Sequence, residues 1–248
     1  WSGMDAEEAE RLKRSQQENE AREREKRGAR ARFAAHRARS QWNSARAVLK
    51  PGEKCAYLER KGVEHDQGLR YFTDGTLAVP MVRYDVTEDQ EKDPKYSGPL
   101  RLVGLQKIAP DGTKRFNKGM WKEGAACRLG KKPKDGDVLL VAEGAATALS
   151  VRQALERAHP VFIAFDAYNL VPVARILRAQ CPKSPILVCS DDDHETEGNP
   201  GVTMARRAAE AVAGSVCTPV FAEGRQPKWT DFNDLHQTES LGVVEQQI

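Results

Sequence analysis

The chain is predicted to be an α/β protein: a short parallel sheet flanked by helices, preceded by a small basic α+β subdomain and a long amino-terminal helix. Three observations predict it. Val138–Ala142 is an unbroken apolar run that ends on Glu143-Gly144 and leads directly into a helical pattern, as a strand covered on both faces does. Apolar strands and helical stretches then alternate to about residue 213. Before them, Asp5–Val48 is rich in Ala, Arg, Glu and Lys and contains no Pro. The organisation read from these is 1–50 a charged helical arm, 51–135 a basic α+β subdomain and 136–248 the α/β unit that carries the chemistry.

A length of 248 residues is enough for one large or two small cores. The net charge of +3 is mildly basic, so the distribution of charge says more than its total. No apolar stretch is long enough to span a bilayer, and a cytoplasmic protein with no membrane partner is expected. The five cysteines are scattered without a C-x-x-C pair, which argues against a zinc ribbon or a disulfide framework and for thiols in a reducing compartment.

In the arm, Glu18–Arg22, Glu20–Arg24 and Glu23–Arg27 pair opposite charges at helical spacing, and the first half has almost no apolar stripe. Phe33, Ala34, Ala38, Trp42, Ala45 and Val48 supply a face that can dock on the body. Pro51-Gly52 breaks the helix, and a short helix follows around Tyr57–Gly62. From Leu77 to Gly130 alternating apolar positions predict antiparallel strands, with Asp111-Gly112 as a hairpin turn and Asp85–Pro99 as an exposed loop. This region holds Lys107, Lys114, Arg115, Lys118, Lys122 and Arg128 beside Phe116 and Trp121. Cations interleaved with aromatics suit a single nucleic-acid strand; a solvated basic hairpin is the alternative.

In the second half the predicted strands are Val138–Ala142, Val161–Phe165 and Ile186–Ser190, and the helices run to about Arg157, over Val171–Gln180 and over Val202–Ala213. Carboxylates follow the strand ends, where open α/β sheets bind ligands: Glu143, then Asp191-Asp192-Asp193, then Asp231 and Asp234 in a third segment. Alternation puts Asp191 and Asp193 on one face and Asp192 away from it. Such carboxylates repel one another unless a cation neutralises them, and Mg2+, a hard ion, is the natural occupant. Asp166 is a helix cap or a cleft residue, and His194 a loop residue rather than a ligand.

The spacing Glu143-Gly144-x-x-Thr147-Ala148, then Asp191-x-Asp193, then Asp231-Phe232-Asn233-Asp234-Leu235 resembles the Toprim domain of DnaG-type DNA primases. The primases of conjugative plasmids and satellite phages, whose first motif reads E-G-Y-A-T-A, are the most similar; Ala145 takes the Tyr place. Tyr57-Leu58-Glu59-Arg60-Lys61-Gly62 resembles their YL-x-x-KG element, and Thr113–Gly119 a compressed form of the basic element that precedes the Toprim strand. Gly201 takes the place of the glycine that opens the next helix, after an insertion.

The resemblance implies a primase catalytic core of a mobile element that makes short RNA primers on single-stranded DNA from NTPs. It implies Glu143 as general acid or base or metal ligand, and Asp191 and Asp193 as holders of Mg2+ (or Mn2+), with Asp231 or Asp234 completing the site. Lys107, Lys114, Arg115, Lys118, Lys122, Arg128 and Arg207 are the expected nucleic-acid or nucleotide contacts, and a replicative helicase is a candidate partner. Thr147 stands where many bacterial primases have a further acid. A Toprim nuclease and a single-strand-binding module of a larger replication protein are the rival readings.

Overall fold

Good helix formers without a breaker produce one helix, α1 (Ala6–Ser44), in the computed structural model, which describes residues 6–93, 96 and 98–248. It ends four residues before Val48 because Arg46 is drawn into a two-way backbone bridge with Tyr71 (both N–H···O distances 2.8 Å). The docking face is made of alanines: Ala31, Ala34, Ala35, Ala38 and Ala45 are buried, so α1 lies close to the sheet. Phe33 and Val48, expected on that face, are 66% and 68% exposed. Residues 8–27 stand in water, with Arg14–Glu18, Lys26–Glu23 and Arg30–Glu23 as ion pairs instead of the three read from the sequence. Exposed pairs of this kind exchange partners at little cost.

The short helix α2 (Ala56–Arg60) buries Tyr57 and Leu58. Strands β1 (Arg70–Tyr71) and β2 (Leu77–Arg83) follow, then a helix where a loop was expected, α3 (Glu88–Lys92). Thr87 starts that helix through a capping box with Gln90, a polar signal that an apolar-pattern reading passes over. Next come β3 (Leu102–Ile108), β4 (Lys114–Phe116) and β5 (Ala125–Leu129), all antiparallel to their neighbours.

The second half runs β6 (Leu139–Ala142), α4 (Ala145–Ala154), β7 (Val161–Ile163), α5 (Leu170–Gln180), β8 (Ile186–Cys189), α6 (Pro200–Glu210), β9 (Ser215–Cys217), α7 (Phe232–Thr238) and α8 (Leu241–Gln247). Strand β9 and the last two helices were not read from the sequence; each is short and carries too few apolar positions to declare its period. Strands β7, β6, β8 and β9 are parallel in that spatial order, and β5 pairs antiparallel with β7. One sheet therefore runs through both halves, β4-β3-β2-β5-β7-β6-β8-β9, and the expected boundary at 135/136 falls in the turn between β5 and β6.

Helices cover both faces. Helix α4, with Phe232 and Leu235 of α7 and Val244 of α8, packs on one face, and Leu170, Val173 and Leu177 of α5 with Ala205 and Ala208 of α6 pack on the other. Among the described residues no helix is long and apolar enough to cross a membrane. A buried ion pair ties the α2 region to α4: Arg152 Nε donates to Asp66 Oδ2 (2.5 Å), and Gly130 N to Asp66 Oδ1 (3.1 Å). Arg152 also donates to the carbonyls of Arg157 and His159. Asp66→Ala strands that guanidinium in the interior and is expected to lower the unfolding free energy by about 3–5 kcal/mol. Urea titration would read this as a lower midpoint with an unchanged slope.

Candidate active site

The order β7-β6-β8 reverses the direction of winding between β6 and β8, because the chain leaves β6 toward β7 and leaves β8 toward β9. Strand-end loops diverge at such a switch point and leave a crevice at the carboxyl edge. Glu143 is the first residue beyond β6 and Asp191 the second beyond β8, so the crevice is lined by carboxylates from both sides. Glu143 also fixes the adjoining turn, its carbonyl accepting from Phe165 N (2.8 Å). Phe165 has φ 75°, a left-handed conformation that costs an aromatic residue free energy, at the point where the chain leaves β7.

Asp191 is half-buried, but its Oδ1 is shut off from solvent and has no hydrogen-bond partner among the described residues. Its backbone carbonyl meets Gly201 so closely that any side chain there would collide with it, which explains the glycine at the first turn of α6. The Gly201 N–H donates to Asp193 Oδ2 (3.1 Å). Asp192 points elsewhere, as alternation predicts. Its carboxylate accepts from Asn199 Nδ2 (2.6 Å) and an Arg225 guanidinium nitrogen (2.5 Å); partial burial pushes it up, and these bonds outweigh that and lower it below the usual carboxylate value. His194 lies beside Glu195 and the Asp192 carbonyl, not among the acids.

The third segment divides in two. Asp231 caps α7 by accepting from the N–H groups of Asn233 and Asp234 (both 2.8 Å) and receives the Thr147 hydroxyl (2.8 Å). Thr147 thus orients an acid in place of supplying one. Asp234 turns back to accept from Thr230 N (2.9 Å) and Asp231 N (3.4 Å), completing the capping box. It acts on the crevice through Asp231, so of the two expected ligands only Asp231 is felt directly by Glu143 and Asp191.

Crowding these acids in a desolvated edge perturbs their ionisation. Burial first, then the charges of Asp193, Asp166 and Asp231, push Glu143 up to about 7, with Lys114 acting in the opposite sense. Burial and then Asp231, Glu143 and Asp193 hold Asp191 well above the carboxylate range, again against Lys114. Asp231 is raised by burial and Asp234, against its N–H and Thr147 bonds and the charge of Lys61. Among the described residues no three acidic, histidine or cysteine side chains converge closely enough to form a ready-made metal cage.

The structure sorts the expected cations. Strand β4 alternates, so Lys114 and Phe116 share the face toward the acids. There Lys114 acts on Glu143 and Asp191, and the Phe116 ring meets that of Phe165 edge-on at 6.2 Å. Lys122 ion-pairs with Asp166, which both caps the turn at Ala167–Asn169 and raises Glu143. Lys118 is exposed nearby in sequence. Arg115 and its cross-strand partner Lys107 line a cleft with Phe72, Asp74 and Asp111 on the other face of the hairpin. Arg128 lies over Tyr84 in a separate cleft, and Arg207 is exposed on α6 against Met204. Sequence reasoning missed Lys61 and Arg225, whose contacts come from residues 170 and 33 positions away and carry no local pattern.

Because folding raises Glu143, Asp191 and Asp231, the stability they contribute is full below their unfolded values near pH 4 and is lost as pH rises above them, for Glu143 through about 7. Without divalent ions, unfolding free energy is expected to fall across that window. Glu143→Gln removes one of the mutually repelling charges and is expected to be more stable than the parent at pH 7.5 by about 1–3 kcal/mol, measured by urea unfolding.

Residues 138–241 match the family model of the Toprim domain. The chain is 35% identical over 190 residues to a DNA primase TraC of Escherichia coli and 33% identical over 172 residues to another, covering 73% and 67% of this chain. It spans only 16% and 11% of the length of those relatives. The primase fragment of the bacteriophage T7 primase-helicase protein superposes with a TM-score of 0.48 at 18% identity, covering 82% of this chain and 74% of that one. The DnaG primase catalytic domain bound to ssDNA gives a TM-score of 0.48 at 14% identity, over 88% of this chain and 79% of that one. The crevice of carboxylates is thus the acidic edge of a Toprim domain, in a chain that over 190 residues is similar to DNA primase TraC.

Proposed function

We propose that this chain is a primase catalytic core that joins ribonucleotides into short primers on single-stranded DNA. The observation that carries the reading is the pairing of a buried, unpartnered Asp191 oxygen at a carboxylate-lined switch point with Lys114 and Phe116 of a basic hairpin facing it. The similarity to DNA primase TraC over 190 residues supports it.

The donor set fits a hard divalent cation. Mg2+ is commonly held by one or two carboxylates together with water and substrate phosphate, so a site without a complete protein cage suits it. Asp191 and Asp193 would hold such an ion, with Asp231 beside them. Bound Mg2+ (or Mn2+) supplies charge neutralisation for a triphosphate and a lowered pKa for a 3′-hydroxyl.

The rest of the chemistry belongs to the chain. Glu143, poised near neutrality by burial and its acidic neighbours, can take or return a proton at the attacking hydroxyl. Lys114 offsets phosphate charge from the hairpin side, where the half-open Phe116 ring rests edge-on against Phe165. A nuclease would use the same acids; the similarity to DNA primase TraC favours polymerisation over hydrolysis.

With labelled ribonucleotides, mixed-sequence single-stranded templates and Mg2+ or Mn2+, the parent chain is expected to make short RNA products. Asp191→Asn should reduce them by about 100-fold or more, the scale on which lost charge stabilisation in an active site is felt. Mg2+ should raise the melting temperature of the parent at pH 7.5 more than at pH 5, and that difference should vanish in Asp191→Asn. Degradation of DNA without added nucleotides, lost in Asp191→Asn, would replace this reading with hydrolysis.

A further inference from the structure

Next to the acids, on the side of β7 away from β6, lies a cleft of about 910 Å³ between the segment that follows the hairpin and helix α5. Its cations are Arg27, Arg83, Lys122 and Arg175, and its carboxylates Glu123 and Asp166. Two of the cations are engaged: Arg83 forks onto Asp85, and Lys122 pairs with Asp166. Arg27 covers the ring of Trp121 at 4.6 Å. Arg175 is exposed on α5 and has no partner among the described residues.

Tyr168 stands at the same rim. It is 73% exposed and makes no ring contact or hydrogen bond among the described residues. Its backbone is nonetheless held firmly, because the neighbouring Asn169 is buried and uses its whole amide. Asn169 Oδ1 accepts from Gly124 N (2.7 Å), and Nδ2 donates to the carbonyls of Ala125 (2.9 Å) and Ala164 (2.7 Å). An isolated exposed aromatic is ordinary on a surface. This one is offered from a rigid turn two residues past Asp166, whose charge reaches Glu143, with an unpaired arginine seven residues on.

We propose that a single strand of DNA passes through this cleft, with a base stacked on Tyr168 and a phosphate on Arg175, on its way to the acidic crevice. The inference rests on the primase reading and adds to it a strand path that the hairpin cations do not supply. An aromatic face and an unpaired cation on a rigid support are what sequence-tolerant strand binding needs, since every base has a π-face and every nucleotide a phosphate. At about 910 Å³ the cleft is of the size that ligand sites have.

The test uses the full chain and a fluorescein-labelled oligothymidylate, with affinity read by anisotropy over a salt series. Tyr168→Ala is expected to weaken binding about 10-fold, and Tyr168→Phe, which keeps the ring, to bind as the parent does. Arg175→Ala is expected to flatten the dependence of log affinity on log salt by about 0.7, the loss of one phosphate contact. Both side chains are exposed, so unchanged melting temperatures would show that the fold survives. Parental affinity in Tyr168→Ala, an equal loss in Tyr168→Phe, or an unchanged salt slope in Arg175→Ala would overturn the strand path while primer synthesis by the parent stands. A parent chain that neither binds the strand nor makes primers would overturn both readings.

Discussion

Several carboxylates are held at the carboxyl edge of a sheet buried on both faces, and removing them from water is the constraint to which the surrounding structure answers. A carboxylate in such surroundings is stabilised by hydrogen-bond donors, by opposite charge or by a proton. Each acid has a different share. Asp231 takes two backbone N–H groups and the Thr147 hydroxyl, and Asp193 takes the Gly201 N–H. Asp192 takes Arg225 and Asn199, and Asp166 takes Lys122. Glu143 and Asp191 are left least satisfied, and they are the two that flank the switch point. The free energy left unrecovered there is what a cation can recover.

That edge faces a basic hairpin because the sheet does not stop at the parallel strands. Strand β5 pairs antiparallel with β7, which brings its amino-terminal end beside the carboxyl end of β7. Asn169 locks this junction by bonding to residues of both strands' ends at once. Hairpin strand β4 then presents Lys114 and Phe116 toward the acids and Arg115 away from them, since successive side chains alternate. Lys114 and the acids it acts on are thus carried on separate strands of one hydrogen-bonded sheet.

The long helix shows how propensity and packing divide their work. Its solvent-facing half has helix formers and exchangeable surface ion pairs but no apolar stripe. Its second half docks through alanines, which bring backbone close to the sheet at small cost in side-chain entropy. Gln41 of this helix donates nothing to the acids, yet it holds Asn117 Nδ2 (2.9 Å), and Asn117 Oδ1 in turn receives Leu105 N (2.8 Å). The helix therefore braces the hairpin that carries Lys114.

The sequence by itself determined the α/β class, the order of the principal strands and helices, and the acids at the strand ends. Those signals are local: an apolar run closed by Glu143-Gly144 and another closed by Asp191 announce buried strands and what they deliver. Glycine at 201 was legible too, as the opening of a helix. Tertiary structure alone decided that one sheet runs through both halves, that Asp231 rather than Asp234 acts on the crevice, and that Lys107 and Arg115 face away from it while Lys114 faces toward it. It also decided that alanines and not Phe33 form the docking face of α1. Short elements such as β9 and α7 carry too few residues to show a period, and contacts between residues such as Lys61 and Asp231 have no sequence spacing to betray them. Which acids stay charged depends on burial and neighbours in space, quantities that exist only once the chain has folded.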